Sequence, residues 1–457
     1  MVLNGTLVSA PVPVKVVARS FGIFTWNQAG SGPMIVQNFI SSTNTPTNGL
    51  LEAANPGQTE ILWGVGLGAV DPAAEIAGPV PGDMPITVDV YVGGKKANVI
   101  YRGRSGCCAG IDQIVFTVPA GVEGCYVSVG VVVNGVLSNV GTMSIASSGK
   151  VCAENSRLSS ADISKVQKAG PLNIGDIQVV RFNLTAGSIQ GSVDDGNGSF
   201  RRYASTAELM SAAPHSIAGL RGTASPGSCV TTTFDFGNGK GALDAAIPDF
   251  QDPAGSQLDA GANLTLSNSK GTKQLPRQLF NGFVDGYYLP DGTFLGGGVP
   301  AAGIPLTPNF LDPGAITLTG SGGPGVGAFS ANLTIPSTFA TWSNQASING
   351  VSRTQDLTIN WSGGGSNELV AVFLASADSA IGSGAGVACV ERASVGTMTI
   401  PAFLMSNMPA SGTADGLRVG WITFGTTLAQ PTRFNATGLD LGYFNWLTAQ
   451  IKNVPFQ

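Results

Sequence analysis

The chain has 457 residues, only 11% of them charged, with a formal net charge of −5. That length exceeds one ordinary β-sandwich and suits two or three domains, and the sparse charge with no basic cluster argues against nucleic-acid binding. No apolar run approaches the ~18 residues that cross a bilayer as a helix, while 64 glycines and 27 prolines leave Ser, Thr, Asn and Gly to form most of the surface, a composition of secreted β-rich proteins rather than of cytosolic enzymes.

Residues 2–18 read as one extended Val/Pro-rich strand, and Pro11 and Pro13, which cannot donate hydrogen bonds, place it at a sheet edge. The opening MVLNGTLVSAP has neither the basic nor the apolar region of a signal peptide, so it reads as a mature or trimmed start, and secretion is inferred from composition alone. Residues 19–53 are loop-rich, with Phe24 and Trp26 expected to plug a sandwich. From Ala54 to Ala146 short strands follow one another. Thr59–Leu62 leads into the glycines at 64, 66 and 68. Ile86, Val88 and Val90 alternate with Thr87, Asp89 and Tyr91, the period of a half-buried strand. Gly93-Gly94 and Asn134-Gly135 are hairpin turns. Between them come Ala97–Tyr101, Ile114–Val118 and Tyr126–Val133, and Val136–Ala146 closes the set.

This stretch resembles a known module. The segments PGQTEILWGVGLG, VDVYVGGKKANV, DQIVFTVPAG and Leu137-Ser138-Asn139, with Gly22-Ile23-Phe24-Thr25 before them, are similar to the IPT/TIG-type immunoglobulin-like domain. More narrowly they resemble the uncharacterised Solibacter-type C-terminal domain of large secreted acidobacterial proteins, as do Cys107-Cys108-Ala109-Gly110 and Gly124-Cys125. Phe21 stands where that family more often has Pro. The resemblance implies fold and compartment, and brings no catalytic residue with it.

Beyond a linker with a short helix starting at Ser159–Asp162, strands resume at Asp176–Thr185 and Ser188–Val193. Asp194-Asp195-Gly196-Asn197-Gly198 reads as a hairpin turn, with a calcium loop as the competing reading. Thr206–Met210 suggests a short helix. Cys229–Phe236, Asn263–Ser267, Lys273–Leu279, Gly282–Leu289, Ala315–Thr319 and Ala328–Ile335 suggest a meander, and about seven further strands follow Thr341. The expected fold is therefore all-β, as tandem immunoglobulin-like antiparallel β-sandwiches with short linking helices. Its parts are an N-terminal strand over 1–18, an IPT/TIG-like sandwich over 19–150, a middle domain over 151–336 and a C-terminal sandwich over 337–457, the last two alternatively forming one joined sandwich.

Six cysteines, Cys107, Cys108, Cys125, Cys152, Cys229 and Cys389, show no metal spacing and read as disulfides of an oxidising compartment. Cys107 and Cys108 are expected to point apart and take different partners within the first domain, leaving Cys229 for Cys389. The single histidine, His215, sits in Ala-Pro-His-Ser without a nucleophile elbow elsewhere, which argues against a serine triad. Gly64–Gly68 has the wrong spacing for a dinucleotide loop. Aromatic side chains can stack on sugars, and Tyr443, Phe444 and Trp446 form the candidate ligand platform. Pro11, Val12, Pro13, Val14 and Val16 form a candidate self-association strand, because Asn4-Gly5-Thr6-Leu7 before them echoes Asn134-Gly135-Val136-Leu137 of the closing hairpin. Such a strand either edges its own sandwich, is a remnant of a preceding module, or adds to a neighbouring subunit and builds a filament. The expected function is a non-enzymatic structural or adhesive protein at the cell surface or outside it, without cofactor, self-assembling or holding a polysaccharide or cell-surface ligand, with no nucleic-acid partner and no membrane span. The alternative is a carbohydrate-binding or carbohydrate-active extracellular protein.

Overall fold

Alternating apolar and polar residues give the first part its strands, and tight turns set their register. The computed structural model describes residues 3–4, 7–8, 16–26, 28, 30–69, 82–152, 162, 165, 170–186, 189–205, 224–236, 255–280, 282–289, 310–378, 380, 382–414 and 416–457. Strands β1 (Leu3–Asn4) and β2 (Leu7–Val8) pair with each other across Gly5-Thr6, so residues 2–18 do not form the single extended strand expected of them.

The first sheet orders its strands as β3 (Gly22–Ile23), β6 (Thr59–Val65), β9 (Asp112–Thr117), β8 (Lys95–Arg104), β7 (Val88–Val92), β10 (Gly124–Val133), β12 (Gly141–Ile145) and β4 (Gly32–Pro33), with β5 (Val36–Phe39) on β6 and β11 (Val136–Leu137) on β10. Gly93 and Gly94, at φ 54° and 72°, turn β7 into β8, and Asn134 and Gly135, at 48° and 83°, turn β10 into β11. Both turns need positive φ twice, which these residues tolerate. The sheet curls around Val36, Leu62, Val90, Phe116, Val129 and Val131, all at 0% exposure.

The remaining strands do not divide at residue 337. A single path among the described residues runs β15 (Ser228–Asp235), β25 (Ser383–Arg392), β24 (Glu368–Asp378), β29 (Gly420–Leu428), β31 (Leu441–Asn453), β13 (Leu172–Ala186), β14 (Ile189–Tyr203), β19 (Phe283–Tyr288), β18 (Gly271–Phe280), β17 (Asn263–Asn268), β20 (Gly314–Gly320) and β21 (Phe329–Ile335). Strands β16 (Ser256–Gln257) and β30 (Thr432–Arg433) flank it, β22 (Thr341–Trp342), β23 (Leu357–Ser362) and β26 (Thr397–Ile400) make a small second layer, and β27 (Thr413–Ala414) pairs with β28 (Leu417–Arg418). Strands from both sides of residue 337 therefore share one sheet. The join is the long parallel pairing of β13 with β31, from Ile174↔Leu441 to Thr185↔Lys452, an exception to the antiparallel rule elsewhere in this sheet. Among the described residues helix is confined to short pieces such as α1 (Ala402–Met405) and the helical Asp162 and Lys165 near the expected linker helix. Thr206–Met210 lies outside the described residues.

Asp194–Gly198 is not a turn but the middle of β14, in unbroken register with β13 from Val179↔Gly196 to Arg181↔Asp194. Local turn chemistry loses here to packing. A Cβ on Gly196 would stand 3.2 Å from Leu289, and one on Gly198 2.9 Å from Leu264, so the glycines admit large neighbours.

Two cores fill the joined sheet. Phe200, Tyr287, Phe329, Phe434, Phe444 and Trp446 anchor one. Trp342, Trp361, Phe373, Trp421, Phe424 and Phe182 anchor the other, which also takes in Leu137 and Val140 of the first sandwich. Between the sandwiches, Ser225 N–H donates to the Tyr126 carbonyl at 3.0 Å, Tyr126 N–H to Ser225 Oγ at 3.0 Å, and Cys229 N–H to Ser128 Oγ at 3.3 Å. Tyr91 stacks on Phe403 with ring centroids 4.8 Å apart.

Candidate functional site

Neighbouring strands in register place their partner residues on the same sheet face. On β13, residues 175, 177, 179 and 181 face one way and 174, 176, 178 and 180 the other. The first face enters the Phe200–Trp446 core: Ile177, Val179 and Phe444 are fully buried in it.

The second face carries a polar band. Gln178 is opposite Asn445 on β31 and Asn197 on β14, and Asn197 is opposite Tyr288 on β19. Tyr288, Asn197, Gln178 and Asn445 thus form one row across four strands, about 14 Å long at the usual strand spacing. One step along, Asp176 lies opposite Tyr443 and Ser199, and Arg433 opposite Tyr443. The Arg433 guanidinium rests 4.0 Å from the Tyr443 ring centroid and donates to Asp162 at 2.5 Å. On the far side Asp195, also fully buried, faces Val180 and accepts from the Gly196 N–H at 2.6 Å. Beyond the band the same face carries Val180, Phe182 and Leu184 on one side, and on the other Ile174 with Arg201 opposite it, then Leu172.

Gln178 is 1% exposed and Asn445 4% exposed. Neither amide atom of Gln178 has a hydrogen-bond partner, nor does the Asn197 side-chain oxygen. Buried polar groups are rarely left so. The row offers amides that both donate and accept, carboxylates that accept, and two phenol rings.

The opposite face buries charge in the other manner. Arg181 holds Asp194 through Nε at 2.8 Å and Nη2 at 3.1 Å, and Asp194 also accepts from the backbone N–H groups of Phe310 and Leu311, the latter at 2.8 Å. Asp312 is a second, more exposed acceptor of Arg181 at 3.3 Å and pairs with Lys270. In the first sandwich, Asn48 donates to Asn38 at 3.0 Å and to the Ser144 carbonyl at 2.8 Å, and receives the Ser144 N–H. Glu60, between Asn38 and Phe116 in the ladder, is fully buried with both carboxyl oxygens unpartnered. Burial raises its pKa from 4.5 to about 9, so it is a neutral acid at pH 7.

The sequence-derived residues fall as follows. All six cysteines are bonded: Cys107–Cys108, Cys125–Cys152 and Cys229–Cys389. Cys107 and Cys108 therefore bond to each other and not to different partners. Cys125 at the start of β10 meets Cys152 just past β12, with Cα atoms 5.3 Å apart, which leaves the vicinal pair only one another. Cys229 and Cys389 are directly opposite on adjacent strands. Tyr443, Phe444 and Trp446 are 8%, 0% and 2% exposed and form no open platform: Phe444 and Trp446 enter the core on one face of β31, and Tyr443 on the other lies under Arg433. Only Tyr443 joins the polar band. Pro11, Val12, Pro13, Val14 and His215 lie outside the described residues, and Val16 is 90% exposed. Among the described residues no cluster of three or more His, Cys, Asp or Glu could hold a metal. The polar band was missed although its signal is present: Asp176-Ile177-Gln178 and Tyr443-Phe444-Asn445 put polar groups two apart in otherwise apolar strands.

No family model and no curated protein matches the chain. Among solved structures, a mixed-linkage glucan utilization protein of Bacteroides ovatus, SGBP-B, aligns over 77% of this chain and 64% of its own at 12% identity and a TM-score of 0.16. The chain thus spans 64% of that protein's length. The titin fragment I67–I69 aligns over 89% of this chain and 95% of its own at 6% identity and a TM-score of 0.11. Scores this low leave the description of the chain as all-β, immunoglobulin-like sandwiches to rest on its own sheets.

Proposed function

We propose that the protein is an extracellular, non-enzymatic structural protein with an adhesive role. The observation that carries this reading is the joint at Ser225–Cys229, where one strand start hydrogen-bonds to β10 of the first sandwich and is tied by Cys229–Cys389 to the second. Closing a loop of 160 residues stabilises by about 4–5 kcal/mol in the chain-entropy model, and such a bond persists only where thiols are oxidised. A surface poor in charge suits that setting, as does the Solibacter-type resemblance of the first sandwich. Self-assembly by addition of the Pro11–Val16 strand to a neighbouring chain is the finer part of the proposal, supported by the exposure of Val16.

Two measurements test it. Thiol titration of the denatured, unreduced protein is expected to find no free thiol, and two or more per chain overturn the extracellular reading. Light scattering of the full chain is expected to show association that deletion of residues 1–18 abolishes without altering far-UV circular dichroism per residue. A monomer at high concentration, or unfolding on deletion, ends the filament reading.

A further inference from the structure

We propose that the polar band across β19, β14, β13 and β31 is a binding site for a neutral, hydroxyl-rich chain, a polysaccharide. This goes deeper into the adhesive reading above by naming the partner class, and it rests on different residues from the joint and the N-terminal strand.

Three observations converge. The first is register: Tyr288, Asn197, Gln178 and Asn445 fall in one row and Asp176, Ser199 and Tyr443 in the next, on one face of contiguous strands. Chance scattering of polar residues along buried strands would not align them across four. The second is the unpartnered state of Gln178, 1% exposed with neither end of its amide bonded, together with the Asn197 oxygen beside it. Leaving such groups unpaired costs about 1–3 kcal/mol each, which an occupant with matched hydroxyls recovers. The third is gradation of burial, since Gln178 and Asn445 lie deepest while Asp176, Asn197 and Tyr288 are half-buried around them.

The chemistry selects the occupant. At the band β13 is laddered to β14 on one side and to β31 on the other, so its main-chain groups are spent and cannot accept a peptide by strand addition. Recognition must come from side chains. Amides that donate and accept at once match adjacent hydroxyls, and the half-buried Tyr288 adds a ring of the kind that packs on the apolar face of a sugar. Asp176 and Asp195 disfavour an anionic ligand; of the cations described on this face, Arg433 is held by Asp162 and Arg201 stands one row beyond, opposite Ile174. A row of about 14 Å suits an oligosaccharide segment rather than a single sugar.

Isothermal titration of the full chain with cellohexaose, xylohexaose, mannohexaose and maltohexaose tests the site, with hexagalacturonate and a neutral decapeptide as contrasting probes. The expected result is saturable binding of at least one neutral hexasaccharide, weakened about tenfold or more by Gln178→Leu and by Asn197→Ala, with Lys96→Ala unchanged. Gln178→Leu keeps the side-chain volume, and if it fails to fold the half-buried Asn197→Ala decides. Absence of binding to every neutral hexasaccharide, preference for the anionic or peptide probe, or equal affinity in a folded variant overturns the proposal. A chain that binds no glycan but self-associates overturns this site and leaves the structural reading standing.

Discussion

Strands β13, β14 and β31 bury polar groups on both of their faces, and Asp194 on one and Gln178 on the other are buried in opposite ways. On one, Asp194 is surrounded: two nitrogens of Arg181 and two backbone N–H groups point at its oxygens. On the other, three residues away along the same strands, Gln178 and Asn197 have side-chain atoms with no partner at all. Folding alone accounts for the first arrangement, because a buried carboxylate needs those donors. It does not account for the second, since an apolar residue at position 178 would cost the fold nothing.

The largest effect that sharpens this contrast comes from Arg181→Met. Removing one partner strands the buried Asp194 charge, and the stability of the joined sheet falls by about 3–5 kcal/mol. Urea unfolding followed by the fluorescence of Trp421 and Trp446 reads it, and a loss below about 1 kcal/mol would mean that the pair is not desolvated as described.

Glu60→Gln moves the other way. A carboxyl whose folded pKa is raised contributes full stability below its unfolded value of 4.5, and that stability declines as pH rises toward about 9, because only the unfolded chain has released its proton in between. At pH 7 the cost is on the order of 3 kcal/mol. The Gln variant is expected to be more stable by a similar amount at pH 7 and to lose the slope between pH 5 and 9 in a thermal melt series. An unchanged slope would show that Glu60 is hydrated.

Gln178→Leu is expected to raise the stability of the unliganded protein by about 1–2 kcal/mol, since it removes an unpaired amide and keeps its volume. Destabilisation would mean that the amide is satisfied, and the two faces would no longer differ.

The hairpins at Gly93-Gly94 and Asn134-Gly135 were legible because turn chemistry and tertiary structure agree there. At Asp194–Gly198 they disagree. Five residues that favour turns instead sit mid-strand, held by Arg181 on one side and by close packing of Leu264 and Leu289 on the glycines. No local rule reveals that. Tyr443, Phe444 and Trp446 look like a surface cluster until the parallel pairing of β31 with β13, across some 267 residues of sequence between Asp176 and Tyr443, makes β31 an interior strand. The polar band was hidden for the same reason: its members come from segments far apart, and only register aligns them. The vicinal bond of Cys107 and Cys108 was set by exclusion in space, once Cys125 and Cys152 had met.

The smallest effect is expected from Asp312→Asn, and it isolates burial as the variable. Arg181 serves two carboxylates, Asp194 with a side chain 2% exposed and Asp312 with one 41% exposed. Lys270 foremost, and Arg181 with it, hold the Asp312 carboxyl below its ordinary pKa. A depressed carboxyl adds stability above its unfolded pKa and loses it as pH falls through the folded one, so any contribution of Asp312 is present at pH 7 and gone in strong acid. Solvent and salt screen it, however, and Asp312 lacks the backbone donors that enclose Asp194. The melting temperature of Asp312→Asn at pH 7 is therefore expected to stay within about 1 °C of the parent in physiological salt. Combined with Arg181→Met, it is expected to add no more than this small effect, since only the exposed pair with Lys270 is then left to lose. A drop comparable to that of Arg181→Met would mean that the outer carboxylate, and not the buried one, anchors the arginine, and the contrast between the two faces would lose its first term.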